Sequence, residues 1–353
     1  MARFLSFPRR FVSPSGAEDI ERLNRQVSAL VELGLEPAAP VVEVDTSAAI
    51  GDSFKTSETR PAMGTLVSLS TFHFSETQAQ DAIGRAFEEM ERLIDIFNRY
   101  ESSTALGQLN EVGRLEDSPP ELSEVVAQSL HFHRVTLGTF EMTVEPLVDL
   151  FRSRQPSRRE LSELLELVGS ENVELDGPRI EFKRAGMGVT LDGIAKGYIV
   201  DRMSEVLSLY GVDNFLVNAG GEIRTGGTTD GESPWTVAVQ DPAKRENFPD
   251  KVSMNQGAIA TSGSYEIFFD QERRFHHLVD AETGESPQWS VSVSVMAPTT
   301  LAADALATSL FMMAPREGLR LIDSLVGCEC LIIDYQGRQL RSRGWKSAKS
   351  SSI

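Results

Sequence analysis

The stretch "TTLAADALATSLFMM", from Thr299 to Met313, constrains the fold more than any other part of this chain. Alanine and leucine dominate it and neither glycine nor proline interrupts it, so it reads as a core helix. Ala305, Leu306, Ser309, Leu310 and Met313 fall near one face. Thr299 or Thr300 is placed to cap its start. Asp304 and Thr308 are then one turn apart, point the same way, and lie toward the positive end of the helix dipole. A carboxylate stacked on a hydroxyl suits a hard cation such as Mg²⁺, which prefers oxygen ligands. Two solvated polar positions on a core helix are the plainer account, and on these residues alone that account outweighs the metal site.

Around this helix the chain reads as a mixed domain. "GTLVSLSTF" has the alternation of a strand, and Ser75 with Gln78 caps a long helix through Ala79, Ala82, Ile83, Ala86, Met90, Leu93, Ile94 and Phe97. A second helix is expected over about Pro120 to Thr136, and a short polar one near 157–168. "RIEFKRAGMGVTLDGIAKGYIVDRMSEVLSLYG" reads as hairpin, loop and helix. Strands are expected at "NFLVNAGG", "WTVAVQDP", "FHHLVDAETG", "VSVSVMAP" and "CLIIDYQGRQL". Helices and strands do not alternate strictly, which favours an α+β fold over a doubly wound sheet.

Residues 1–58 read as an appendage. Ser15 and Glu18 have capping-box spacing, and Ile20, Leu23, Val27 and Leu30 repeat as in a short amphipathic helix, followed by a proline-rich linker. That helix is read as a docking element or the contact of a homodimer, with a solvated extension as the alternative. The folded domain is expected over 59–346 and a flexible tail over 347–353.

Composition narrows the partners. The formal net charge of −18 disfavours nonspecific binding to nucleic acid or to anionic membrane. Cys328 and Cys330 are too close along one strand to bridge without strain and lack the neighbours of a metal site, so they are read as unpaired thiols. Pro8, Arg9 and Arg10 break the apolar start of the chain, and its "RRF" leads into polar sequence, unlike an export signal. With no segment apolar and long enough to span a bilayer, the expectation is a cytoplasmic protein without an integral membrane segment.

Several short motifs can carry chemistry. "NAGGEIRTGG" places Gly220 and Gly221 in a turn where backbone N–H groups can approach a ligand, or simply in a glycine hairpin. In "LDGIAKGYIVD", Gly193 and Gly197 flank Lys196 at the start of a helix, an arrangement that can hold phosphate. "AIATSGSYE" supplies Thr261, Ser262 and Gly263 in an expected hydroxyl-rich turn, and "HHLVDAETG" supplies His277 and Asp280. A lone histidine is more often structural than catalytic.

Taken together and in order, "RPAMGTLVSLS", "NRYESSTALGQLN", "LDGIAKGYIVD", "NAGGEIRTGG", "IATSGSYE", "HHLVDAETG" and "ADALATSLF" resemble the ApbE family of FAD:protein FMN transferases over roughly residues 60–345. The resemblance implies a predominantly antiparallel sheet with flanking helices. It implies Mg²⁺-dependent transfer of FMN from FAD to a Thr or Ser hydroxyl of an acceptor flavoprotein, with release of AMP. It further implies Asp304, Thr308 and the Gly193 carbonyl as metal ligands. Met63, Tyr100, Phe140, Glu141, Met142, Asp192, Lys196 and His277 correspond to FAD-contacting positions. His277 is the expected general base, with Asp280 as an orienting partner or a turn cap.

Four positions, in three motifs, depart from the family pattern. "TLDGIAKG" stands for the usual "DLGGIAKG", so Thr190 replaces an aspartate and Asp192 a glycine; Glu141 replaces an aspartate, and Ala281 a proline. Two other outcomes therefore stay open beside transfer: an FAD pyrophosphatase in which water attacks, and a flavin-binding protein without catalysis. A cytoplasmic flavoprotein is the acceptor that fits an absent export signal.

Overall fold

A computed structural model describes residues 53–154, 156–229, 232–242, 248–264 and 278–348. The amphipathic stripe from Ile20 to Leu30, both histidines His276 and His277, and the last five residues of the chain lie outside them.

Among the described residues the centre is an eight-stranded sheet in the order β1-β2-β6-β7-β10-β11-β12-β13, and every neighbouring pair is antiparallel. Its strands are β1 (Phe54–Ala62), β2 (Thr65–His73), β6 (Phe215–Ala219), β7 (Glu222–Gly226), β10 (Gly257–Gly263), β11 (Ser290–Ala297), β12 (Glu329–Asp334) and β13 (Gln339–Arg341). Three helices pack on one face: α1 (Glu76–Phe97), α6 (Ala195–Leu209) and α7 (Thr300–Met312). Smaller helices surround them: α2 (Ala105–Val112), α3 (Pro120–Val135), α4 (Glu145–Ser153), α5 (Arg158–Leu165) and α8 (Pro315–Ile322). The ribbon β8 (Trp235–Val239) with β9 (Asp250–Met254) covers the other face, and β3 (Arg114–Leu115), β4 (Val173–Asp176) and β5 (Arg179–Phe182) form a small separate sheet. This is the α+β class expected, with an antiparallel sheet and flanking helices.

The sheet is buried on both faces, and the strand sequences show why. On β12, Cys330 and Ile332 enter the core under the helices while Leu331 and Ile333 enter the core under the ribbon. On β10, Ala258 and Ala260 face the helices and Ile259 the ribbon. Side chains alternate across a strand, so two cores require consecutive apolar residues. Both cysteines are buried and unpaired, as expected. α7 goes further than its sequence suggested: ten of its residues are buried, on nearly every side, because β10, β11, α6 and α8 enclose it.

Local signals account for several element ends. Ser75 accepts a hydrogen bond from Gln78 N at the start of α1, and Ser157 with Glu160 closes a capping box on α5. Thr299 caps α7 by accepting from Ala302 N. Met63 (φ 52°) and Gly64 (φ 73°) form the two-residue turn between β1 and β2, where both positive φ values match the strand twist.

Three segments differ from expectation. β1 begins at Phe54, inside the stretch read as linker; it is an edge strand with an exposed polar face, and its Pro61 needs no ladder partner there. Ser347 and Ala348, read as the start of a tail, bond to Asp250 and to the Lys251 carbonyl of β9. The described part of "FHHLVDAETG", from Leu278 to Gly284, is not a strand but a turn: Asp280 accepts from Glu282 N, Thr283 N and the Thr283 hydroxyl. Asp280 is thus a turn cap, the second of its two expected roles. No helix among the described residues is long and apolar enough to cross a membrane.

Trp235 anchors the ribbon face: it is fully buried, and its indole N–H donates to the Gly226 carbonyl at 2.9 Å. Trp235→Ala is expected to cost about 3–5 kcal/mol, read as a lower urea midpoint. A loss below about 1 kcal/mol would mean that the ribbon contributes little to holding the sheet.

Candidate active site

The site forms where α6 and α7 cross one end of the sheet. Asp304 is 3% exposed, so the account of Asp304 and Thr308 as a solvated pair fails. Asp304 Oδ2 accepts from Gly197 N at 2.9 Å. Gly197 lies in the first turn of α6, whose amides have no cap from the N-cap residue Ile194. The neighbouring helix supplies that cap instead. Gly197 permits it because a Cβ there would collide with the Thr300 carbonyl and stand 2.9 Å from Asp304 Cβ.

Thr308, one turn further along α7, is half-buried and meets two other elements. A Cβ on Gly193 would stand 3.0 Å from Thr308 Oγ1, so the Gly193 backbone lies directly against that hydroxyl. Ser262 Oγ is 3.3 Å from Thr308 Oγ1. Ser262 belongs to β10, as do Thr261 and Gly263, so the expected hydroxyl-rich turn is the end of a strand. The β6–β7 turn ends at the same edge: Gly220 and Gly221 both have positive φ, and Asn218 Oδ1 accepts from Gly221 N. The hairpin reading of "NAGGE" is the one observed. A Cβ on Gly220 would strike Thr65, which brings the Met63–Gly64 turn to this end as well.

One carboxylate, two hydroxyls and the Gly193 backbone thus converge. Among the described residues no three His, Cys, Asp or Glu side chains gather as a metal-holding group. An oxygen set with a single carboxylate fits Mg²⁺ better than a transition metal, because Mg²⁺ keeps water and takes substrate phosphate oxygens as further ligands. Lys196 Nζ lies 2.8 Å from Glu222 Oε1, a carboxylate 3% exposed on β7, which orients the ammonium at the same junction.

A second polar cluster adjoins the first through Asp192. Arg99, 2% exposed, donates from Nη1 to Glu145 (3.2 Å) and Asp149 (2.8 Å), and its Nε is 3.5 Å from Asp192 Oδ2. The guanidinium carbon lies 4.4 Å from the centre of the Tyr100 ring, and that of Arg152 lies 4.8 Å from it. Tyr100 is 40% exposed, an aromatic face supported by two cations and open to solvent. Burial, reinforced by the charge of Asp149, pushes the Glu145 carboxyl up to about 7 despite the opposing pull of Arg99.

Three corresponding positions are turned inward. Phe140 and Met142 are core residues, 3% and 1% exposed. Glu141 is buried with both oxygens engaged: it accepts from Thr143 N and Oγ1, from Ser170 N and Oγ, and pairs with His133 Nδ1 at 3.1 Å. Asp192, by contrast, is exposed, and its amide donates to Thr190 Oγ1. Sequence reasoning passed over Arg99, Glu145, Asp201 and Glu222. Arg99, Asp201 and Glu222 stand inside quoted motifs, but nothing in the spacing of Glu145 and Glu222 announces their cationic partners.

The hydrogen bond to Glu141 raises the His133 pKa above its ordinary value. A raised histidine contributes stability that is complete below the unfolded histidine pKa and is lost as pH climbs through the folded one. The urea midpoint of the native protein is therefore expected to fall as pH rises from about 6.5 through the folded-state value. His133→Gln should flatten that slope, and an unchanged slope would remove this pair from the pH response.

Comparison with known proteins places this geometry. The model of the ApbE family matches residues 63–332. A Haemophilus influenzae protein named FAD:protein FMN transferase is 29% identical over 262 residues, covering 68% of this chain and 75% of its own length. The Escherichia coli K12 protein of the same name is 28% identical, covering 73% and 77%. The crystal structure of the ApbE protein of Thermotoga maritima superposes with a TM-score of 0.76 at 28% identity, over 82% of this chain and 97% of that one. The flavin transferase ApbE of Vibrio cholerae gives 0.72 at 25% identity, over 82% and 98%.

Proposed function

The chain belongs to the ApbE family, and from that premise we propose that it transfers FMN from FAD to a Thr or Ser hydroxyl of an acceptor flavoprotein, releasing AMP. The observation that carries this reading is the convergence of Asp304, Thr308, Ser262 and the Gly193 backbone at one sheet end. That set would leave much of a cation's shell to water and substrate phosphate oxygens.

In this reading the acceptor hydroxyl oxygen attacks the FMN phosphorus of FAD. A new P–O bond forms as the bond to the bridging pyrophosphate oxygen breaks, AMP departs with that oxygen, and the hydroxyl proton passes to a base. Asp304, Thr308 and the Gly193 carbonyl would hold Mg²⁺, which supplies charge neutralisation at the pyrophosphate. Lys196, oriented by Glu222, adds a positive charge beside the phosphates. Tyr100 offers its ring to flavin or adenine. Met63 sits on a turn at the site's edge. Phe140, Glu141 and Met142 serve through backbone and shape, because their side chains are occupied within the fold. Asp192 borders the site through Arg99. The acceptor is a flavoprotein of the same compartment, the cytoplasm in our reading. Hydrolysis of FAD is the second reading, in which water takes the place of the acceptor hydroxyl.

Asp304→Ala is expected to abolish most AMP release from FAD and Mg²⁺ in the presence of acceptor, and to raise the metal requirement of what remains. Wild-type AMP release with acceptor absent would instead identify a pyrophosphatase, and full activity of Asp304→Ala in chelator-treated buffer would exclude this site.

His277 lies outside the described residues, and its role as general base rests on the motif match. His277→Ala is expected to slow FMN transfer roughly a hundredfold to ten-thousandfold, with FAD binding followed separately by fluorescence quenching. His276→Ala should do far less. Equal and mild effects would make both histidines structural and place the base elsewhere.

A further inference from the structure

We infer that Asp201 is a positioning residue that fixes where α7 sits along α6, and so holds Asp304 and Thr308 in place for the cation. The inference rests on the metal reading of that site. Asp201 lies on α6, one turn beyond Gly197, and its two oxygens accept from Thr300 N and Leu301 N, each at 2.9 Å. These are the first amides of α7, donors that no residue of their own helix can satisfy.

The two helices therefore cap each other. Asp304 of α7 takes the Gly197 amide of α6, and Asp201 of α6 takes the first two amides of α7. Gly197 and Asp201 are four residues apart, as are Thr300 and Asp304, so the contacts form two rungs one helical turn apart. A slide of α7 along α6 would break both rungs together. Arg224 of β7 ties the same end to the sheet: it donates to the Pro298 carbonyl, and its Nη1 is 3.9 Å from Asp201 Oδ1. Asp201 itself touches neither Thr308 nor Ser262 in any of these contacts. Its effect on the cation is exerted through the helix.

Thr299 provides the control. Its hydroxyl accepts from Ala302 N at 3.2 Å and caps the same end of α7, with no rung to α6. Loss of Thr299 weakens the cap and leaves the register alone.

The test is Mn²⁺ binding to the full-length protein in the presence of ADP, followed by the electron paramagnetic resonance signal of free Mn²⁺, with folding checked by circular dichroism. Asp201→Asn, which puts an amide group where one acceptor oxygen stood, is expected to raise the Kd for Mn²⁺ roughly tenfold to a hundredfold. Thr299→Ala should stay within about twofold of wild type, the scale of a change made away from the ligands and their supports. Asp201→Glu restores both oxygens one methylene further out; it should bind Mn²⁺ with intermediate affinity and carries the test if Asp201→Asn fails to fold. Wild-type affinity in a folded Asp201 variant would overturn the inference, as would an equal loss in Thr299→Ala. A wild-type protein that binds no Mn²⁺ with ADP would overturn the metal reading itself, an outcome distinct from both.

Discussion

The rest of the structure depends on how closely α6 and α7 approach. Gly193 and Gly197 make that approach possible, because a side chain at either would meet Thr308 or the Thr300 carbonyl and Asp304. The close approach removes water from the carboxylate of Asp304, which then needs a donor, and the first turn of α6 offers one. A buried acid and an uncapped helix start are each unfavourable alone; facing one another, each satisfies the other. In the proposed function the same acid would meet the cation, so packing, capping and the proposed metal chemistry fall on a single side chain. The sheet contributes by ending there: the β6–β7 turn, the tip of β10 and the start of β11 present short side chains and backbone, leaving room beside the helices.

Electrostatics divides the site into two parts. Around Asp304 and Lys196 the protein sets a carboxylate on a helix amide and an ammonium on a carboxylate, groups that suit cation and phosphate. Around Arg99 it places three carboxylates on one guanidinium. Taking Arg99 out of water costs heavily, and only carboxylates at hydrogen-bonding distance offset that cost. The outcome is a buried cation held against the half-exposed ring of Tyr100. A planar aromatic ligand gains from such a platform, because less freedom is lost on binding.

How much of this the sequence revealed depended on whether a feature is local. The Ser75 and Thr299 caps were legible because the interacting atoms lie within three residues of each other. The one-turn pairing of Asp304 with Thr308 was legible for the same reason, but its burial was not. Burial is decided largely by α6 and β10, which lie far away along the chain. β1 stayed hidden because an edge strand with an exposed face has no need of alternating apolar residues, and "FKTSETRPA" has the composition of a linker. The strand expected at "FHHLVDAETG" gave way to an aspartate turn in its described part, since three donors within reach of Asp280 outweigh the β propensity of Val279.

A motif match assigns positions, and only the fold assigns directions. Glu141 has the charge that the family pattern requires, yet its carboxylate faces Ser170, Thr143 and His133 and organises the turn before α4. Asp192 stands where the pattern has glycine, and its carboxylate faces outward to Arg99. The exchange at 190 and 192 follows from the loop that carries both. Thr190 donates its amide to the Met142 carbonyl and accepts from Asp192 N, so position 190 is fixed against the core while 192 projects to the surface. A carboxylate moved from the first to the second keeps the local charge of the segment while changing its outlook, from the buried side of the loop to the rim beside Tyr100. Charge conservation along a sequence therefore says little about which ligand atom a carboxylate meets. In this chain the acid at 192 acts on the aromatic platform by way of Arg99, and the hydroxyl at 190 holds the loop that positions Gly193 against Thr308.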